Sequence, residues 1–212
     1  ESGLEVVGPA LVIAYALNSV KFDPGTAGRC NDQGVCSLAQ GQGNWNIEAL
    51  GHDTFNFGDD MNHAHVQPNG AYHYHGIPEL LVDFLGDSEG MTLVGWAADG
   101  FPVYARYGFS DPNDSTTKTI ALKPSYRLKS QPDPNRPMVL TLLSGGPGQG
   151  TTPNTPIAMG AFTQDYEYVD GLGDLDQCNG RFGVTPEFPN GIYYYVVSDD
   201  FPFFTRCLKG NV

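Results

Sequence analysis

Apolar and polar positions along this chain follow short alternations and brief continuous runs, and helical spacing is weak throughout. Four runs have the length and the β-branched and aromatic content of strands: Leu11 to Leu17, Thr92 to Ala97, Val139 to Leu143 and Ile192 to Val197. Between them, 144–153, with Gly145, Gly146, Gly148 and Gly150, and 111–117 read as loops. One helix is predicted over Phe162 to Tyr168, after Gly160. Residues 68–74 (PNGAYHY) and 189–195 (PNGIYYY) both read as a turn leading into an aromatic strand. The expected architecture is mainly β: one compact domain over 1–212, of short antiparallel strands and hairpins with long Gly/Pro-rich loops.

Composition strengthens that reading. The 27 Gly and 16 Pro are turn formers, and 11 Tyr, 12 Phe and 2 Trp supply bulk for a β core. Charge then narrows the partners. Eleven basic against 24 acidic residues give a net charge of −13, a field that repels phosphate backbones and anionic bilayers, so nucleic-acid binding is excluded. The longest apolar segment, Val6 to Leu17, is interrupted by Gly8 and Pro9 and is too short to span a membrane. Whether the partner is a small molecule or an extracellular polymer is left open by the sequence. Four cysteines, Cys30, Cys36, Cys178 and Cys207, allow three pairings, of which Cys30–Cys36 with Cys178–Cys207 is favoured. No C-x-x-C spacing occurs, so disulfides outweigh zinc or redox chemistry, and the expected location is secreted or periplasmic. The start at Glu1 suits a chain from which a targeting segment has been removed.

All five histidines, His52, His63, His65, His73 and His75, fall between positions 52 and 75. Two H-x-H pairs are present, and residues i and i+2 of a strand share a face. The intervening turn decides whether the pairs meet. A two-residue Asn69-Gly70 turn would put Pro68 where a backbone N–H is wanted and send the pairs to opposite faces. A three-residue loop, Pro68-Asn69-Gly70, places proline at its preset φ and glycine at the left-handed position. Gln67 then faces Ala71, His65 faces His73, and His63 faces His75, with Tyr72 and Tyr74 packing on the opposite side. Opposed Cβ atoms about 4.5–5.5 Å apart allow imidazoles to share an ion at about 2.0–2.1 Å. His63, His65, His73 and His75 are therefore the candidate metal ligands, with Asp59 and Asp60 nearby to favour a cation. Copper is the favoured ion, in a binding or redox role; the alternatives are a zinc-dependent hydrolase and a non-catalytic binding module whose metal is structural. His52 lies outside the hairpin and is read as a surface residue, with ligation as the alternative.

Other chemistry is less concentrated. Asp170, Asp174, Asp176 and Asn179 form an oxygen-rich stretch that suggests calcium, yet it lacks the order of an EF-hand and reads first as an acidic turn. Arg106, Arg127, Arg136 and Arg181 are read as partners for the many carboxylates. Asp99 is a candidate for orienting a histidine and Glu48 for general base. No G-x-S-x-G, H-E-x-x-H, Walker or dinucleotide signature occurs.

The run AHVQPNGAYHYHGIP (Ala64 to Pro78) resembles the YHYH-domain proteins, a largely bacterial group named for that tetrapeptide. The resemblance extends through KFDPGTA from Lys21, WNIEAL from Trp45, DGFPVYARYG from Asp99, SYRLK from Ser125, GDLDQCNGR from Gly173 and FPFFTRCLKG from Phe201. It implies one YHYH-type domain and shared histidines at His65, His73 and His75. His63 stands outside that pattern, so the resemblance implies a three-histidine set.

Overall fold

The computed structural model describes residues 12–86, 89–145 and 154–210. Its organising element is an eight-stranded sheet. In spatial order the strands are Gly180–Gly183, Ile192–Val197, Pro102–Ala105, Thr92–Ala97, Ala14–Ala16, Lys21–Phe22, Tyr72–Tyr74 and Ala64–Val66. The predicted strands at 92–97 and 192–197 are present over those residues. The first predicted run yields a strand only at Ala14–Ala16, and Leu11 lies outside the described residues.

Alternation assigns each face of the sheet. Ala14, Phe22, Ala64, Tyr74, Val94, Ala97, Val103, Tyr195 and Val197 all enter one buried cluster with Phe204 and with Leu81 and Val82 of a short helix. That helix, Glu79–Leu85, was not evident from periodicity because it spans two turns between Pro78 and Gly86. Gly86, left-handed at φ 86°, ends it by donating to the carbonyls of Val82 and Asp83. On the opposite face a second cluster, with Tyr104, Tyr194, Val196 and Leu122, covers one end. Gly95 lies at a bulge where a Cβ would sit 2.4 Å from the Tyr15 carbonyl oxygen, so a side chain there would break the pairing with Ala14–Ala16.

Three expectations need correction. The strands are not uniformly antiparallel: Lys21–Phe22 runs parallel to Tyr72–Tyr74, Pro102–Ala105 to Ile192–Val197, and Leu142–Ser144 to Val35–Ser37. The run Val139 to Leu143 is two strands, Val139–Leu140 and Leu142–Ser144, which serve different sheets. The helix at 162–168 is a single 3-10 turn, Thr163–Asp165, followed by the strand Tyr166–Tyr168. Asp165 explains the last. Its carboxylate accepts the N–H groups of Gly160 and Phe162 and pairs with the fully buried Arg136, which closes the turn, while Tyr166 stacks on Phe201.

Disulfides join Cys30 to Cys36 and Cys178 to Cys207. The first clips opposed residues in a four-stranded sheet, Leu142–Ser144, Val35–Ser37, Arg29–Cys30 and Trp45–Asn46, over a core with Trp45, Ile47, Phe55, Phe57 and Phe162. The second ties the C-terminal segment to the main sheet. Among the described residues no helix is long and apolar enough to cross a membrane.

Candidate metal centre

The hairpin forms through the three-residue loop. Gln67 N–H donates to Ala71 at 2.9 Å, Gly70 N–H donates back to Gln67 at 2.8 Å, and Gly70 takes φ 84°. His65 is therefore opposite His73 in the ladder. The alternating sequence Tyr72-His73-Tyr74-His75 then has a direct meaning. Its tyrosines point toward the apolar cluster, and its histidines point to the other face.

His65, His73 and His75 converge there. One ring nitrogen from each lies within 4.8 Å of the others, and the three ring centroids are 4.6–4.7 Å apart. Each Nδ1 faces an oxygen: His65 faces Asp59 Oδ1 at 2.6 Å, His75 the Pro24 carbonyl at 3.3 Å and His73 the Ala71 carbonyl at 3.4 Å. A neutral imidazole that donates through Nδ1 keeps its lone pair on Nε2. The Nε2 atoms of His65 and His75 face each other at 3.4 Å. Two lone pairs in that relation repel unless a proton or a cation lies between them.

The surroundings hold His73 and His75 neutral. His73 and His75 are each only 2% exposed. Burial, reinforced by His65, pushes His73 down to about 4. Burial and the two neighbouring imidazoles hold His75 well below the ordinary histidine value. Phe57 stacks on His65 with planes 10° apart. Lys21, paired with His73 across the parallel ladder, donates to Asp23 at 3.1 Å and to Gln67 at 3.0 Å. Asp23 is fully buried with Oδ1 lacking a hydrogen-bond partner, and desolvation raises its carboxyl to about 6 despite Lys21 and Gln67. The three histidines form part of the wall of a groove of about 840 Å³, shared with Thr26, Leu38, Gln40, Phe57 and the 67–70 loop.

Not every predicted residue joins the cluster. His63 keeps its backbone place, since its carbonyl accepts from His75 N–H at 2.8 Å, but its φ is 52°. That left-handed twist breaks the alternation, and the ring turns to the Ile77 carbonyl, 2.9 Å from Nδ1. His52 is half-buried and stands outside the three-histidine group. Its Nε2 faces the Glu48 carbonyl at 2.8 Å, its Nδ1 accepts from Thr54 N–H, and burial lowers its pKa.

Glu48 is bound to Arg206 and Thr163 in a buried network, and Asp99 accepts from Tyr195 and the backbone of Gly210. Neither carboxylate is among the hydrogen-bond partners of His65, His73 and His75. Asp174 and Asp176 cap backbone N–H groups, and Asp176 also meets Tyr193 and Lys209. Asp170 accepts from the Tyr168 hydroxyl, and Asn179 donates to Val196 and Ser198. Arg106, Arg127 and Arg136 pair with carboxylates as expected, whereas Arg181 donates to the Tyr194 hydroxyl and the Phe109 carbonyl. Among the described residues the three histidines are the one grouping of His, Cys, Asp and Glu with metal-ligand spacing.

Fold and site together define a disulfide-bonded, mainly-β protein whose sheet presents an imidazole triad at a groove. A model of the YHYH protein family matches residues 2–210, nearly the whole chain, and the chain belongs to that family. No curated protein and no solved structure matches it.

Proposed function

We propose that this is a secreted or periplasmic metal-binding protein holding one transition-metal ion through Nε2 of His65, His73 and His75. The observation that carries the reading is the pair of opposed Nε2 atoms, with a third imidazole beside them and every Nδ1 committed to an oxygen. Asp59 supplies the carboxylate that fixes the tautomer of a ligating histidine. The widest nitrogen separation shortens by ring rotation to complete a three-ligand set, and the groove provides an open fourth position.

Copper is the favoured ion, because an all-imidazole site binds it most tightly among divalent first-row metals. An exchangeable copper ion at the groove supports binding or redox chemistry. Zinc is the second reading, and one distance favours it. Nitrogens 3.4 Å apart and about 2.0–2.1 Å from one ion subtend roughly 110°, the tetrahedral angle that zinc takes. Such an ion would generate a hydroxide from bound water. Two disulfides support the oxidising location. Elemental analysis of protein isolated without added metal, with electron paramagnetic resonance before and after His73→Ala, tests the reading. One equivalent of copper with a signal lost in the variant is expected. Zinc in its place selects the second reading, and no metal in either protein rejects both.

A further inference from the structure

The face of the main sheet that carries the histidines continues outward from them in one lateral row. His65 is opposite His73, His73 is paired with Lys21, Lys21 with Tyr15, and Tyr15 with Trp96. The last two side chains are exposed by 57% and 41%, and Leu17 beside them by 46%, although they stand on the two central strands of the sheet. Elsewhere this face is covered, by the Tyr104–Tyr194 cluster at one end and by Phe57 at the other. Phe188 supports the Trp96 ring edge-on at 6.3 Å.

We propose that Tyr15 and Trp96 form a binding platform for an uncharged glycan chain, whose sugar rings stack their C–H faces on the two aromatic rings. Four observations select that occupant. Both strands are hydrogen-bonded on each side, so a peptide finds no free edge to extend the sheet. The exposed patch amounts to roughly 300 Å², a size common for functional patches but well below the ~800 Å² per partner of a stable protein interface. The neighbouring cation, Lys21, is bonded to Asp23 and Gln67, and the chain carries −13, so anionic polymers are repelled. The electron-rich faces of tyrosine and tryptophan attract polarised C–H groups and keep polar edges for hydroxyls. This inference stands apart from the metal reading. The platform lies two inter-strand steps, about 10 Å, from His73.

The test is retention on insoluble cellulose, chitin and xylan, with fluorescence titration by their soluble neutral oligosaccharides. Trp45, the second tryptophan, is buried and donates to Asp32, so quenching by acrylamide reports Trp96. Retention on at least one neutral glycan is expected, with protection of Trp96 from quenching and at least a tenfold loss of affinity in Trp96→Ala at unchanged circular dichroism. Tyr15→Ser, at an exposed position, gives the same comparison should Trp96→Ala fail to fold. Absence of retention on all three, equal retention in the variants, preference for an acidic polysaccharide, or a dimer that shields Trp96 without glycan overturns the proposal.

Discussion

Replacing Asp59 isolates the contribution of one carboxylate to the candidate metal centre. Its Oδ1 is 2.6 Å from His65 Nδ1, with both side chains about one-seventh exposed, so the contact is short and only partly screened. In Asp59→Ala the imidazole loses the acceptor that holds its proton on Nδ1. The alternative tautomer places that proton on Nε2 and removes the lone pair, and the ring also gains freedom to rotate on Phe57. Loss of such a partner typically weakens a histidine-held metal 10–100-fold, about 1.4–2.7 kcal/mol. Asp59→Asn keeps an oxygen acceptor and loses only the charge, so a loss near the lower end, about tenfold, is expected. The assay is competition with a chromophoric chelator at neutral pH, with circular dichroism to certify the fold. His63→Ala serves as the control. Its ring bonds Ile77 instead of the cluster, so its metal affinity should match the unaltered protein. Unchanged affinity in Asp59→Ala, or an equal loss in His63→Ala, would refute this geometry.

Other expectations concern the protein without metal. His73, lowered to about 4 from an unfolded value near 6.5, binds its proton more readily when unfolded. Its contribution is thus complete above pH ~6.5 and is lost as pH falls toward 4, about 2–3 kcal/mol for His73 alone; His75 shifts in the same direction. Urea denaturation of chelator-treated protein between these values measures it, and a pH-independent midpoint contradicts it. Asp165→Asn leaves the buried Arg136 without its counter-charge and should cost about 3–5 kcal/mol by the same method; a change below 1 kcal/mol would contradict the pairing. Removing the Cys178–Cys207 link, which closes 29 residues, should cost about 3–4 kcal/mol, against about 2 kcal/mol for Cys30–Cys36. Denaturation of the paired Cys→Ser variants gives the order, and a reversed order would contradict it.

The hairpin was legible because its information is local. Pro68-Asn69-Gly70 sets the loop, the loop sets the ladder, and alternation assigns Tyr72 and Tyr74 to one face and His73 and His75 to the other. His63 shows where such reasoning stops. Its backbone register follows the count, yet one left-handed φ redirects the ring, and side-chain spacing carries no signal of that twist. Lys21, Asp23 and Pro24 reach the site through a parallel pairing with a strand some fifty residues away, which no periodicity reveals. Glu48 illustrates the reverse error. An isolated glutamate in sequence reads as a base available for chemistry, while Arg206, far along the chain, neutralises it in the core. The disulfide pattern was accessible because few cysteines leave few choices.

Anomalous diffraction from crystals soaked in copper, collected across the copper and zinc edges, addresses the three-histidine centre most directly. One scatterer about 2.0–2.1 Å from Nε2 of each of His65, His73 and His75, absent from His73→Ala crystals, is the expected result. Scatterers only at surface carboxylates, with the three rings unmoved and nothing between them, would contradict it.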